Sequence, residues 1–144
     1  MNSEELENFL HKKIPVSKLM EIHVATCSQN KIILEAPLDI NHNHLATAFG
    51  GSLVAIATLA GYCMLWTALG DSNAHVVVKR SSIEYYRPVK NNISALCSLP
   101  QSREFERFKN AFEKRHKARM RLDVTIADAG VECVRFSGEF VAII

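Results

Sequence analysis

From Leu45 to Gly70 the chain carries no formal charge, and from Gly51 to Leu69 it is apolar on every side. A helix with no polar face must be buried all round or lie in a membrane. Length alone permits the second, because about 20 apolar residues cross a bilayer. Three features point to the first. The nearest flanking charges, Asp39 and Asp71, are acidic; Phe49-Gly50-Gly51-Ser52 interrupts the stretch near its start; and the chain beyond it alternates like a water-soluble sheet. No membrane association is expected. The small residues Ala55, Ala57, Ala60, Gly61 and Ala68 would let a sheet wrap closely around this helix.

The remainder of the chain supplies such a sheet. With 144 residues, 48% of them hydrophobic, a single domain over 1–144 with a substantial core is expected. Glu4 to Lys13 predicts a short amphipathic helix capped by Ser3, with Leu6, Phe9 and Leu10 on one face and Pro15 ending it. Leu19 to Ser28 and Lys31 to Ala36 predict two strands about a Gln29-Asn30 turn, and Pro37 to Thr47 a polar loop. After the long helix, strands are expected over Ala74 to Arg87, Asn92 to Leu99, Ala118 to Ala127 and Val131 to Ile144, the last two joined at Ala129-Gly130. Arg103 to Lys117 predicts a helix with Phe105, Phe108 and Phe112 as its apolar stripe. The class is α+β, one antiparallel sheet around one helix.

The charged fraction of 22% and net charge of +2 are those of an ordinary soluble domain. Cations nevertheless concentrate between Arg103 and Arg121, with Arg107, Arg115, Lys117 and Arg119 among them. That stretch suits an acidic or phosphate-bearing partner, or is a solvated helix face. Nucleic acid is not expected, since the phenylalanines there follow a core stripe and leave no stacking platform. Cys27, Cys63, Cys97 and Cys133 stand 34 to 36 residues apart without a Cys-x-x-Cys pair, which favours reduced thiols. The acidic start, Met1-Asn2-Ser3-Glu4-Glu5, reads as neither a secretory signal nor a transit peptide, so a cytoplasmic location is expected. His42 and His44 lack a third ligand at ordinary spacing; no metal and no cofactor are expected.

The run Asn41-His42-Asn43-His44-Leu45-Ala46-Thr47-Ala48-Phe49-Gly50-Gly51-Ser52 leads straight into the apolar helix. It resembles the hotdog thioesterase superfamily, in which an Asn precedes a Gly-Thr-x-His-Gly-Gly turn that opens the central helix. Within it, Ile14-Pro15-Val16-Ser17, Ala36-Pro37-Leu38, Thr58-Leu59-Ala60-Gly61-Tyr62 and Tyr85-Tyr86-Arg87-Pro88-Val89 are similar to a thioesterase-like family also found as the C-terminal domain of some bacterial N-acetyltransferase-like proteins. Standalone members of that family have been linked to decarboxylation of malonyl-acyl carrier protein. The resemblance implies a hotdog fold, an acyl carrier protein or coenzyme A thioester as substrate, and a homodimer or dimer of dimers with the site between protomers. On this basis Arg103, Arg107, Arg115, Lys117 and Arg119 are expected to dock the carrier or coenzyme A.

The chemistry follows from the residue types. Gly50 and Gly51 would let a thioester approach the backbone where the first helical N–H groups lack internal acceptors, and the helix dipole favours a developing oxyanion there. The alternative is a tight turn with no chemical role. Asn43 matches the Asn flanking the catalytic turn and could hold the thioester oxygen; a role in loop geometry is the alternative. Asn41, Thr47, Phe49 and Ser52 are placed around the substrate, with Asn41 the more structural and Phe49 a wall or a core contact.

Thr58 stands where hydrolytic relatives usually carry Asp or Glu, and no carboxylate occurs from Gly50 through Gly70. Hydrolysis needs a base to activate water. Decarboxylation of a malonyl thioester does not, because the departing CO2 leaves its electron pair behind. Thr58 is therefore expected to orient the substrate carboxylate or a water, or else to bond into its own helix. The strand position that is Ser in some hydrolases aligns with Val78. Decarboxylation is the preferred expectation; thioester hydrolysis and a non-catalytic acyl-binding module are the alternatives.

Overall fold

The computed structural model describes residues 1–144. Helix α1 (Ser3–Lys13) is capped by Asn2 rather than Ser3. Asn2 accepts from the Glu5 N–H while Glu5 reaches back to the Asn2 N–H, a reciprocal box that Ser3 cannot form one residue later. Pro15 does more than stop α1. Its fixed φ and missing N–H suit a first helical turn, and it opens a second short helix, α2 (Pro15–Leu19). The expected strand from Leu19 is thereby shortened to β1 (His23–Cys27).

Strand β2 (Lys31–Ala36) and a one-turn helix α3 (Leu38–Asn41) follow, the latter inside the segment read as loop. The long helix α4 (Gly50–Leu69) starts at the glycine pair and ends at Gly70, whose φ of 63° closes it. Then come β3 (His75–Tyr85), β4 (Ile93–Ser98), α5 (Ser102–Arg115), β5 (Lys117–Asp128) and β6 (Val131–Ile143). His116, left-handed at φ 57°, ends α5 and turns the chain straight into β5, so Lys117 belongs to the strand.

The strands form one antiparallel sheet in the order β1-β2-β4-β5-β6-β3, and α4 packs against β2, β3, β4, β5 and β6. This is the hotdog arrangement. Met120, Leu122, Val124 and Ile126 point from β5 toward the helix, while Arg119, Arg121 and Asp123 point away. On β6, Phe136 and Phe140 are fully buried beneath α4.

One expectation fails in the single chain: α4 is not buried all round. Leu53, Ile56, Ala57, Ala60, Gly61, Met64 and their neighbours are covered. Val54, Ala55, Thr58, Tyr62 and Trp66 form a partly exposed stripe continuing from exposed Gly51. The spacing of about 3.6 residues per turn puts them on one side. Strands β2 to β6 enclose the other sides, and β3 ends the sheet with an unpaired edge.

All four cysteines are free; Cys63, Cys97 and Cys133 are buried, and only Cys27 is partly accessible. Burial pushes the Cys97 thiol up to about 12 and raises that of Cys63 as well. A thiol held neutral and out of solvent reacts slowly with electrophiles. Native protein treated with excess N-ethylmaleimide at neutral pH should take up one equivalent, at Cys27, and four after unfolding; peptide mass mapping reads the result.

Candidate functional site

The loop from His42 to Ala48 is knotted around Asn43. Asn43 Oδ1 accepts from the N–H groups of Leu45 (2.8 Å) and Thr47 (3.2 Å), and its Nδ2 donates to Thr47 Oγ1 at 2.9 Å. Its backbone N–H donates to the Thr47 carbonyl at 2.7 Å. The oxygen of this carboxamide is thus committed to loop geometry, while one of its two N–H groups has no acceptor in the chain. Asn43 holds the loop and keeps a single donor to offer.

Ala46 sits in this turn at φ 61°, the left-handed region that favours glycine. Its side chain is exposed and makes the turn costlier than the glycine usual at this position of the superfamily. Ala46→Gly should raise stability by roughly 0.5–1 kcal/mol, the relief of strain being partly offset by the greater freedom of glycine in the unfolded chain. Urea denaturation would show a higher midpoint with unchanged slope.

Asn41 is a scaffold residue. It is 3% exposed, and its Nδ2 donates to the carbonyls of Met20 (3.0 Å) and Pro37 (2.9 Å), tying α2 to α3. Both donors of its carboxamide are consumed inside the protein. Its own carbonyl accepts from the Phe49 N–H, and Val89 accepts from Ala48, so the loop is anchored just before α4.

At the start of α4 the first intrahelical bond runs from Leu53 to Phe49. The N–H groups of Gly50, Gly51 and Ser52 have no acceptor in the chain, and no side chain caps this end. Three free donors at the positive end of a 20-residue helix form a ready site for an oxygen that gains negative charge. Phe49 is 55% exposed and its ring lies on Gly51: a Cβ there would meet Phe49 Cε2 at 2.5 Å. Phe49 is therefore a wall of this opening and not a core contact.

Opposite it stands Tyr85, whose hydroxyl donates to the Gly50 carbonyl at 3.3 Å and whose ring faces the Gly50 Cα. In the sequence Tyr85 stands out only as part of the Tyr85-Tyr86-Arg87-Pro88-Val89 run. The signal was present in its distance from Pro88, but nothing local says that the last residue of β3 reaches the start of α4.

The same strand brings a second residue to the helix side. A bulge lies between Val78 and Arg80. Before it Val78 pairs with Phe140, and after it Ser81 pairs with Gly138, so both share the side that faces α4. Ser81, opposite a glycine, brings a hydroxyl to the helix side of the free edge.

Thr58 lies about 12 Å along α4 from Gly50, eight residues at 1.5 Å each. Its Oγ1 donates to the Val54 carbonyl at 2.7 Å, leaving it lone pairs to accept with and no proton to give. Tyr62, one turn further along the stripe, has its phenol held protonated by burial, with Cys63 adding to the effect. The basic residues are elsewhere. Arg107, Arg115, Lys117 and Arg119 line a groove on the far face of the sheet together with Lys79 and Arg121, while Arg103 stands outside it.

A thioesterase-type family model, described as "Putative thioesterase (yiiD_Cterm)", matches residues 3–144. The chain belongs to this family. Among solved structures, it is similar to a protein of unknown function from Chlorobaculum tepidum, at 30% identity and a TM-score of 0.92 over 98% of this chain and 93% of that one. It is also similar to a thioesterase-type protein from Shewanella oneidensis, at 28% identity and 0.87 over 99% and 97%. A probable thioesterase from Pseudomonas aeruginosa shares the fold, with 20% identity and 0.87 over 99% and 96%. Membership in the family makes acyl thioesters the substrate class.

Proposed function

We propose that this protein is a cytoplasmic, homodimeric enzyme that decarboxylates malonyl-acyl carrier protein to the acetyl form, in support of fatty acid synthesis. The observation that carries this reading is a donor-lined site without a base. Gly50, Gly51 and Ser52 offer N–H groups, Asn43 offers one more, and no carboxylate occurs anywhere on α4. In the reaction the bond between the malonyl Cα and its carboxylate breaks, CO2 leaves, and the electron pair moves onto the thioester oxygen as an enolate. The donors stabilise that enolate. Water then protonates Cα to give the acetyl thioester. A carboxylate in the site would repel the substrate, and none stands on α4.

Thioester hydrolysis is the second reading, favoured by the family's description. One experiment separates the two. Purified protein is mixed with malonyl-acyl carrier protein, malonyl-coenzyme A and saturated acyl-coenzyme A thioesters, and products are followed by mass spectrometry. Malonyl converted to acetyl thioester without free thiol supports decarboxylation. Free thiol from the saturated thioesters without loss of CO2 overturns it in favour of hydrolysis. Ligand retained with neither product means an acyl-binding module.

The dimer is supported by the apolar stripe of α4 beside the unpaired edge of β3. A second copy pairing along that edge would cover both. Val78, 40% exposed on the helix side of β3, tests this. Val78→Glu should yield a folded monomer by light scattering with activity lost; a dimer unaffected by this change would place the interface elsewhere.

A further inference from the structure

We infer that the outer face of the sheet beside α5 is a docking groove for an acidic amphipathic helix of a partner protein. For its biological sense this rests on the proposed carrier-bound substrate; its chemistry is that of the groove itself. The groove has a volume of about 1040 Å³. One wall is α5, with Arg107 and Arg115. The floor begins with Lys117, Arg119 and Arg121 on β5, continues over Val141 and Ile143 on β6 to Val77 on β3, and ends at Lys79.

The cations form two rows of matched length. Because His116 folds the chain back on itself, Arg115 lies beside Lys117 and the two elements run antiparallel. Arg107 to Arg115 spans about 12 Å of helix, and Lys117 to Arg121 about 13 Å of strand. The repeat along β5, about 6.6 Å for alternate residues, is close to the roughly 6 Å between residues i and i+4 of a helix. Carboxylates at that spacing would meet the β5 row in register. A helix about 10 Å across, laid along β5 and β6, would set an apolar stripe on Val141, Ile143 and Val77.

The rim is available to such a partner. Arg119 has Glu139 at 3.6 Å and Arg121 has Asp123 at 3.3 Å, but Lys79, Arg107, Arg115 and Lys117 have no carboxylate within ion-pair distance. Glu104 is the one acid in the lining.

Other occupants fit less well. A nucleotide phosphate is held by donors that converge on one point; here they are strung along two rows. Nucleic acid would need exposed aromatic faces, and Phe108, the aromatic of the lining, is 4% exposed. A second copy placed face to face would oppose the same cations.

The test is direct binding without substrate, so that it stands apart from any assay of turnover. A fluorescein-labelled helical peptide of about 14 residues, with a leucine stripe beside glutamates at i and i+4, is titrated with the protein by anisotropy. Its partners are the same peptide with glutamine for glutamate, an oligouridine and adenosine 3′,5′-bisphosphate. Binding of the glutamate peptide, weakened about tenfold or more by glutamine or by Arg107→Gln with Arg119→Gln, is expected. Lys12→Gln with Lys13→Gln, on α1, should leave it unchanged. Equal binding of both peptides, loss with the α1 variant, or preference for oligouridine or the bisphosphate overturns the proposal. Binding without malonyl turnover would leave the groove standing and remove the reaction; turnover without binding would do the reverse.

Discussion

Phe140→Ala is expected to cost about 3–5 kcal/mol, the range for deleting a fully buried phenylalanine. Such a loss would lower the melting temperature by roughly 10–15 °C. The reason lies in two missing side chains. Phe140 is wedged between α4 and β6: a Cβ on Gly61 would stand 2.5 Å from its Cζ, and one on Gly138 2.7 Å from its Cε2. The ring is wholly buried and cannot swing aside.

Gly61→Ala should therefore destabilise by about 1–3 kcal/mol of overpacking, less about 1 kcal/mol regained in helix propensity. In the Phe140→Ala background the space is open, and the same alanine should become neutral or stabilising. Urea unfolding of the four proteins closes the cycle. An interaction energy near zero would mean that the ring relaxes and the close approach of helix and strand is not what holds it.

Asn43→Ala should reduce turnover by about 10²–10³-fold if its free N–H meets the developing oxyanion. The alanine also removes two acceptor bonds from the loop, for a stability loss of about 1–2 kcal/mol, so it confounds two roles. Asn43→Asp separates them. The aspartate keeps an oxygen for the Leu45 and Thr47 N–H groups and can accept from the Thr47 hydroxyl, but has no N–H to give. Because the new carboxylate also repels a malonyl group, an equal deficit in the two folded variants places Asn43 at the substrate without separating the lost N–H from the added charge. An active aspartate variant reduces it to a loop residue. Rates are compared on malonyl thioester, with thermal melts alongside.

Parts of this molecule were legible from local pattern alone. Strands β4, β5 and β6 were found within about two residues because their alternation reports directly which side faces the core. The Phe108–Phe112 stripe placed α5, and Ala129-Gly130 placed the last turn, where both residues take positive φ. Pro15 misled because one residue type serves both to end a helix and to begin one; the choice depends on what the following turn packs against. Thr58 was located but not its hydroxyl, since a threonine in a helix can face a site or bond to the carbonyl four residues back.

What the sequence determined by itself was a long helix with no polar face, a sheet to surround it, and a glycine pair where the two meet. Those follow from periodicity and backbone freedom, which are local properties. Only the tertiary structure decided that Tyr85 meets Gly50, that a bulge in β3 brings Ser81 to the helix side, and that Arg107 and Lys79 share a groove. Each joins residues at least 28 positions apart, and their meeting depends on strand order and register. Neither is written in the neighbourhood of any one residue.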